Sequence, residues 1–118
     1  TVTDKNLVYQ GGLILPGVKL SMDTLSLKAA KLPAVGFDKP KRYIAKNTEE
    51  SMMAGVLFGN AGAVDSIVEG IEKELGYSCN VIAYGGMAKF VMPLTKHQYS
   101  LQPDLLMEGL YRLYLMNK

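Results

Sequence analysis

Apolar positions along this chain change spacing several times, and each change marks an element. Thr1-Val2-Thr3 reads as a strand, Asp4-Lys5-Asn6 supplies turn residues, and Leu7-Val8-Tyr9 resumes a strand, so a hairpin opens the chain. Leu13-Ile14-Leu15 reads as the same second strand continued past Gly11-Gly12. A glycine pair inside a strand marks a bulge or a place where something approaches the backbone closely. Pro16-Gly17 suits the central positions of a type II turn. Leu20 to Lys31 predicts a helix, with Leu20, Leu27 and Ala30 on one face beside Thr24. Ser21 or Asp23 could begin it, and Leu32-Pro33 ends it. Pro40 to Arg42 reads as loop, and Tyr43-Ile44-Ala45 as a short extended piece.

The longest periodic stretch runs from Thr48 to Leu75. Met52, Met53, Val56, Leu57, Ala61, Val64, Ile67, Val68, Ile71 and Leu75 recur at helical spacing. Such a helix would be ~40 Å long. Asn47 can cap it, Glu50 completes a capping-box pattern, and Gly76 marks its end. Gly55, Gly59 and Gly62 lie inside it, which predicts either another backbone packed very close or a kink. Asn80 to Tyr84 is an apolar run that reads as a buried strand. Gly85-Gly86 then turns into a helix near Met87 to Met92. Tyr99-Ser100-Leu101 is a short strand, and Pro103 opens a last helix through Leu105, Met107, Leu110, Leu113 and Tyr114. This order predicts an α/β domain with one antiparallel edge and helices packed on the sheet.

Composition narrows the picture. The chain has 118 residues, enough for one domain with one core. Its net charge of +2 comes from scattered basic residues, which argues against a nucleic-acid partner. Cys79 is the only cysteine, so no internal disulfide forms, and a reduced, cytoplasmic setting fits. No stretch reads as a membrane span, and no signal-peptide pattern opens the chain. The hydrophobic fraction of 48% is high for so small a domain, which predicts apolar surface covered by a partner subunit or by another half-domain.

Several short stretches have chemical potential beside an ordinary structural role. Gly11, Gly12 and Gly17 could let a strand edge and turn crowd a ligand, or could be a bulge and a turn. Asn47 and Thr48 are ordinary helix-start residues, but a helix N-terminus also offers free N–H groups and a positive dipole end to an anionic ligand. Gly85-Gly86 marks a turn and also permits close approach of a ligand. His97, beside Lys96 on a loop, reads as a solvated residue. Met52, Met53, Met87, Met92, Met107 and Met116 read as core filler, and Glu69, Glu72, Lys73 and Glu74 as a solvated helix face. No cluster has metal-ligand spacing. Nothing around Asp23, Asp65 or Asp104 predicts a raised pKa, so none is a candidate base.

Four of these stretches, in fixed order, resemble the C-terminal half of type III pantothenate kinases, which transfer the ATP γ-phosphoryl group to pantothenate on the route to coenzyme A. They are Gly11-Gly12-Leu13-Ile14-Leu15-Pro16-Gly17, Ala29-Ala30-Lys31-Leu32-Pro33, Ala45-Lys46-Asn47-Thr48 and Gly85-Gly86. The resemblance implies a ribonuclease-H-like half-domain of the actin-like ATPase and sugar-kinase superfamily, a mixed sheet with an antiparallel hairpin edge, spanning residues 1–118. It implies that Thr48, with Asn47, binds pantothenate, that Gly85 and Gly86 lie against the adenosine, and that Gly11, Gly12 and Gly17 form the pocket wall. Tyr84 stands where the family commonly has Thr, and Gln102 where it often has Asp. ATP, Mg²⁺ and a monovalent cation (K⁺ or NH₄⁺) are implied as well, and so is a dimer. The family's catalytic Asp, phosphate loop and cation ligands match nothing in this chain, so the resemblance implies no activity unaided. The family also holds accessory factors named for effects on gene expression, so a non-catalytic interaction module is the alternative.

Overall fold

A computed structural model describes residues 1–28 and 37–118. The Ala29-to-Pro33 string and the expected end of the first helix lie outside the described residues.

The hairpin forms as expected. Strand β1 (Val2–Thr3) pairs antiparallel with β2 (Tyr9–Gly11). Its turn is organised by Asp4, whose Oδ1 accepts from the Asn6 and Val8 amides at 2.8 and 3.0 Å, while Oδ2 accepts from Gln10 at 2.9 Å. One carboxylate thereby satisfies three donors in a segment too short for a ladder. Leu7 sits at φ 62°, so the second strand resumes at Tyr9 rather than at Leu7. The register slips between Val2, opposite Gly11, and Thr3, opposite Tyr9. Gln10 is therefore the extra residue of a bulge. Gly11, at φ 124°, takes a conformation that side chains rarely adopt. Beyond it the sequence reading needs correction: the strand stops, and Leu13, Ile14 and Leu15 are exposed without ladder partners. Gly17 is not at positive φ; its carbonyl accepts from the Ser21 amide at 2.9 Å and opens helix α1 (Val18–Lys28).

Helix α1 buries Val18 and Met22, not the expected Leu20 and Leu27, which are exposed. It lies on α2 (Thr48–Leu75), whose bounds match the sequence reading at both ends. Asn47 Oδ1 accepts from the Glu50 amide at 2.8 Å, and the left-handed Gly76 (φ 78°) donates its amide to the Glu72 carbonyl at 2.9 Å. Replacing Asn47 by Ala should cost ~1 kcal/mol, measured by urea unfolding; an unchanged midpoint would show that the cap contributes nothing.

Met52, Met53, Val56, Leu57 and Ala61 of α2 form the core with Val18, Met22 and Val91. Met107 and Met116 take no part; both are exposed. Gly55, Gly59 and Gly62 face open space, with no atom within 4 Å of an added Cβ outside the helix's own backbone, so no described backbone packs there. By length and composition α2 could cross a membrane, contrary to the sequence reading; its buried residues, however, are those of the core.

Strand β3 (Val81–Ala83) pairs parallel with β4 (Tyr99–Leu101), with α3 (Ala88–Val91) and a 3₁₀ turn (Met92–Leu94) between them. The fold is thus α/β, with an antiparallel hairpin, a parallel pair and flanking helices, as expected; among the described residues the strands form two separate two-stranded ladders. β3 is not buried, because Ile82 is exposed. The last helix, α4 (Leu105–Met116), begins two residues after Pro103 and buries none of its residues. Tyr43 and Ile44 form a bend rather than the start of an extended piece. The radius of gyration, 16.9 Å, exceeds the ~13.5 Å expected of a packed chain this long, because the elements are strung along α2 instead of closing around it.

Candidate functional site

A cavity of about 290 Å³ lies at the start of α2. The loop residues Asp38, Lys39, Pro40, Lys41 and Arg42 form one side, and Asn47, Glu49, Glu50, Met53 and Ala54 of the helix start form the other. Local chemistry fixes both sides. Asp38 Oδ1 accepts from the Lys39 amide at 2.7 Å. Glu50 reaches back over the cap, taking the Lys46 amide at 3.3 Å and standing 3.9 Å from Arg42 Nε. This is a capping box displaced by one residue, with a cation added. Ser51 Oγ donates to the Asn47 carbonyl at 2.7 Å. Tyr43, exposed, stacks on Phe58 at 3.9 Å between centroids and ties the loop to the helix flank.

Lys39, Lys41 and Arg42 bring three positive charges to the cavity, against Asp38, Glu49 and Glu50. The orphan amides and positive dipole end of α2 are added to the cationic side. The arrangement suits a small ligand with an anionic end and polar, hydrogen-bonding parts.

Of the residues singled out in the sequence, Asn47 lines this cavity, and Thr48 is the exposed first residue of the helix beside it. The glycines line it nowhere. Gly85, at φ 96°, carries the turn after β3, where its carbonyl accepts from the Ala88 amide at 3.2 Å; Gly86 is exposed beside it. Gly17 begins α1, and an added Cβ there or at Gly11 would meet nothing within 4 Å. At Gly12 a Cβ would stand 3.1 Å from both Thr1 Cα and Thr1 N, so the close approach read from the sequence is made by the chain itself.

Sequence reasoning missed one pairing. His97 is not solvated: its ring Nδ1 lies 2.7 Å from Asp65 Oδ1, and its side chain is only 20% exposed. The Lys96 amide donates to both Asp65 oxygens at 3.0 Å. Burial pushes the Asp65 carboxyl up, but the His97 hydrogen bond, the Lys96 amide and the His97 charge together outweigh it and hold it below its ordinary 3.8. Asp65 is therefore an acceptor committed to structure, not a poised base. No signal along the sequence links two residues 32 positions apart. Among the described residues no group of three or more His, Cys, Asp and Glu gathers to hold a metal ion.

Comparison with known proteins agrees with the resemblance read from the motifs. A family model described as type III pantothenate kinase matches residues 1–70. A type III pantothenate kinase of Syntrophus aciditrophicus is 45% identical over 109 residues, covering 92% of this chain and 43% of the relative. One from Syntrophotalea carbinolica is 44% identical over 110 residues, covering 93% of this chain and 43% of the relative. One from Bacillus cytotoxicus is 39% identical, covering 92% of this chain and 42% of the relative. The chain thus spans less than half the length of the curated relatives it matches.

Proposed function

Because the chain belongs to the type III pantothenate kinase family, we propose that it supplies one wall of a cleft in which ATP phosphorylates pantothenate. In this reading residues 1–118 act as one C-terminal half-domain. The observation that carries it is the cavity at the start of α2, where Lys39, Lys41 and Arg42 on the loop face Asn47 and the helix N-terminus. Pantothenate has a carboxylate for the lysines and the helix end, and an amide and hydroxyls for Thr48. Asn47 Oδ1 is held by the cap, so its amide nitrogen is the group that would donate to the substrate. Gly85 and Gly86 would lie against adenosine, and Gly11, Gly12 and Gly17 would shape the pocket wall.

In the transfer, a pantothenate hydroxyl oxygen bonds to the γ-phosphorus, the bond from that phosphorus to the β-bridging oxygen breaks, and ADP leaves. The hydroxyl proton needs an acceptor, and Asp65 is not one. The base, and the ligands of Mg²⁺ and K⁺, would then come from the remainder of a full-length enzyme, and the Gly- and Ala-lined helix α2 would offer a dimer contact. A non-catalytic binding role is the second reading, favoured by the tie between Asp65, the sole buried carboxylate among the described residues, and His97.

The test uses a full-length chimera in which this chain replaces the matching part of the Syntrophus aciditrophicus relative. Thr48→Val should raise KM for pantothenate about five- to tenfold, the worth of one hydrogen bond, and leave KM for ATP unchanged. Unchanged pantothenate kinetics would overturn the assignment of Thr48. A chimera that binds both ligands without releasing ADP would favour the second reading.

A further inference from the structure

Among the described residues helix α4 is the most exposed apolar element. Nine of its twelve residues are large and apolar, and they are 37–80% exposed. Together they present on the order of 1,000 Å² of surface, above the ~300–600 Å² of the largest patch on an ordinary monomer and close to the ~800 Å² per partner of a stable interface.

The distribution of these residues says what kind of surface covers them. At 100° per residue, Leu106, Met107, Leu110, Tyr111, Leu113 and Tyr114 spread over roughly 160° of the helix circumference, and Leu115 widens this to about 200°. The remaining 160° or so holds Glu108 and Arg112, four residues apart, with Gly109 and the first and last residues of the helix, Leu105 and Met116. A single flat neighbour covers a stripe of about 100°. A second copy of α4 laid against the first would leave half the apolar arc wet. A lipid surface is a poor match too, since interfacial helices have a broad cationic face and α4 has one Arg. An arc this wide fits a groove between two or more elements of another folded body. The relatives carry such a body: more than half of their length lies outside the part this chain matches.

We propose that α4 is the docking helix that seats this half-domain in a groove of the remaining portion of a full-length family member, with Leu110 and Tyr114 central and Glu108 and Arg112 outward. The proposal rests on family membership but not on catalysis.

The test compares the 118-residue chain alone with the chimera described above. In a Cys79→Ser background, Leu110→Cys provides a thiol for maleimide labelling. It should react freely in the chain alone and at least tenfold more slowly in the chimera. Equal rates would overturn the proposal. Tyr114→Asp should lower Tm of the chimera by roughly 8 °C or more and leave the chain alone within about 1 °C, whereas Arg112→Ala should move neither. Equal effects of Tyr114→Asp and Arg112→Ala on the chimera would overturn it as well. So would a dimer of the chain alone that Tyr114→Asp dissociates, or sedimentation of the chimera with phosphatidylcholine vesicles that the same change abolishes. ADP release is read in parallel. Protection of the thiol without turnover would sink the kinase reading and leave the docking helix standing; turnover with an unprotected thiol would do the reverse.

Discussion

Replacing Leu57 by Ala should destabilise the chain by about 3 kcal/mol, within the range for truncating a fully buried leucine. Among the described residues Leu57 is the one large side chain with no exposed surface, at 0%. It sits mid-helix in α2, in the cluster that joins Val18 and Met22 of α1 to Val91 of α3. The cost has two parts: lost burial of the removed methyls, and a void that the neighbours fill incompletely. The core holds few other residues to share the load, so the loss is a large fraction of a small domain's stability. Urea unfolding followed by circular dichroism measures it. Leu27→Ala is the control: Leu27 is 82% exposed, and its truncation should cost less than about 0.5 kcal/mol. Equal effects at the two positions would mean that α2 does not hold the core described above.

Asp65→Ala should cost about 2 kcal/mol, because one carboxylate holds both the Lys96 amide, shared between its two oxygens, and the ring of His97. The change should also remove a pH dependence. The folded carboxyl titrates below its ordinary 3.8, so between the two pKa values the unfolded chain binds the proton and the folded chain does not. Stability from this group is therefore fully present above about pH 4–5 and is lost as pH falls through the lower, folded value. Asp65→Asn should flatten that acid limb while leaving stability at pH 7 closer to the parent than Asp65→Ala does. An acid limb of the same slope in Asp65→Asn would assign the dependence to other carboxylates.

Local determinants were the legible ones. The bounds of α2 could be read because Asn47, Glu50 and Gly76 act within one turn of the helix they start or stop. The hairpin could be read from Asp4-Lys5-Asn6, although not the left-handed Leu7 that delays its second strand. Burial was less legible. Leu20 and Leu27 have the spacing of a buried face, yet Val18 and Met22 are the residues that meet α2, since a period fixes which residues share a stripe and not which stripe finds a neighbour. The same limit explains why Asn80 to Tyr84 and the leucines of α4 suggest burial that the described residues do not supply. For the site, Asn47 and Thr48 could be located at a helix start, but the loop cations Lys39, Lys41 and Arg42 became part of a cavity only once the loop folded back on Glu50. The tie between Asp65 and His97 depends on how the segment after α3 returns to α2, a matter of tertiary path alone.

Four of the ten buried apolar residues among those described, Met22, Met52, Met53 and Met92, are thioethers. Such side chains flex through three torsions and fit irregular gaps, which lets the interior tolerate small slides of one helix over another. They are also the ones an oxidant converts to polar sulfoxides. Met22 of α1 lies in the core shared with α2, shielded while the two helices stay closed and vulnerable when α1 lifts away. Peroxide damage at Met22 would therefore serve as a clock for how often this interior breathes.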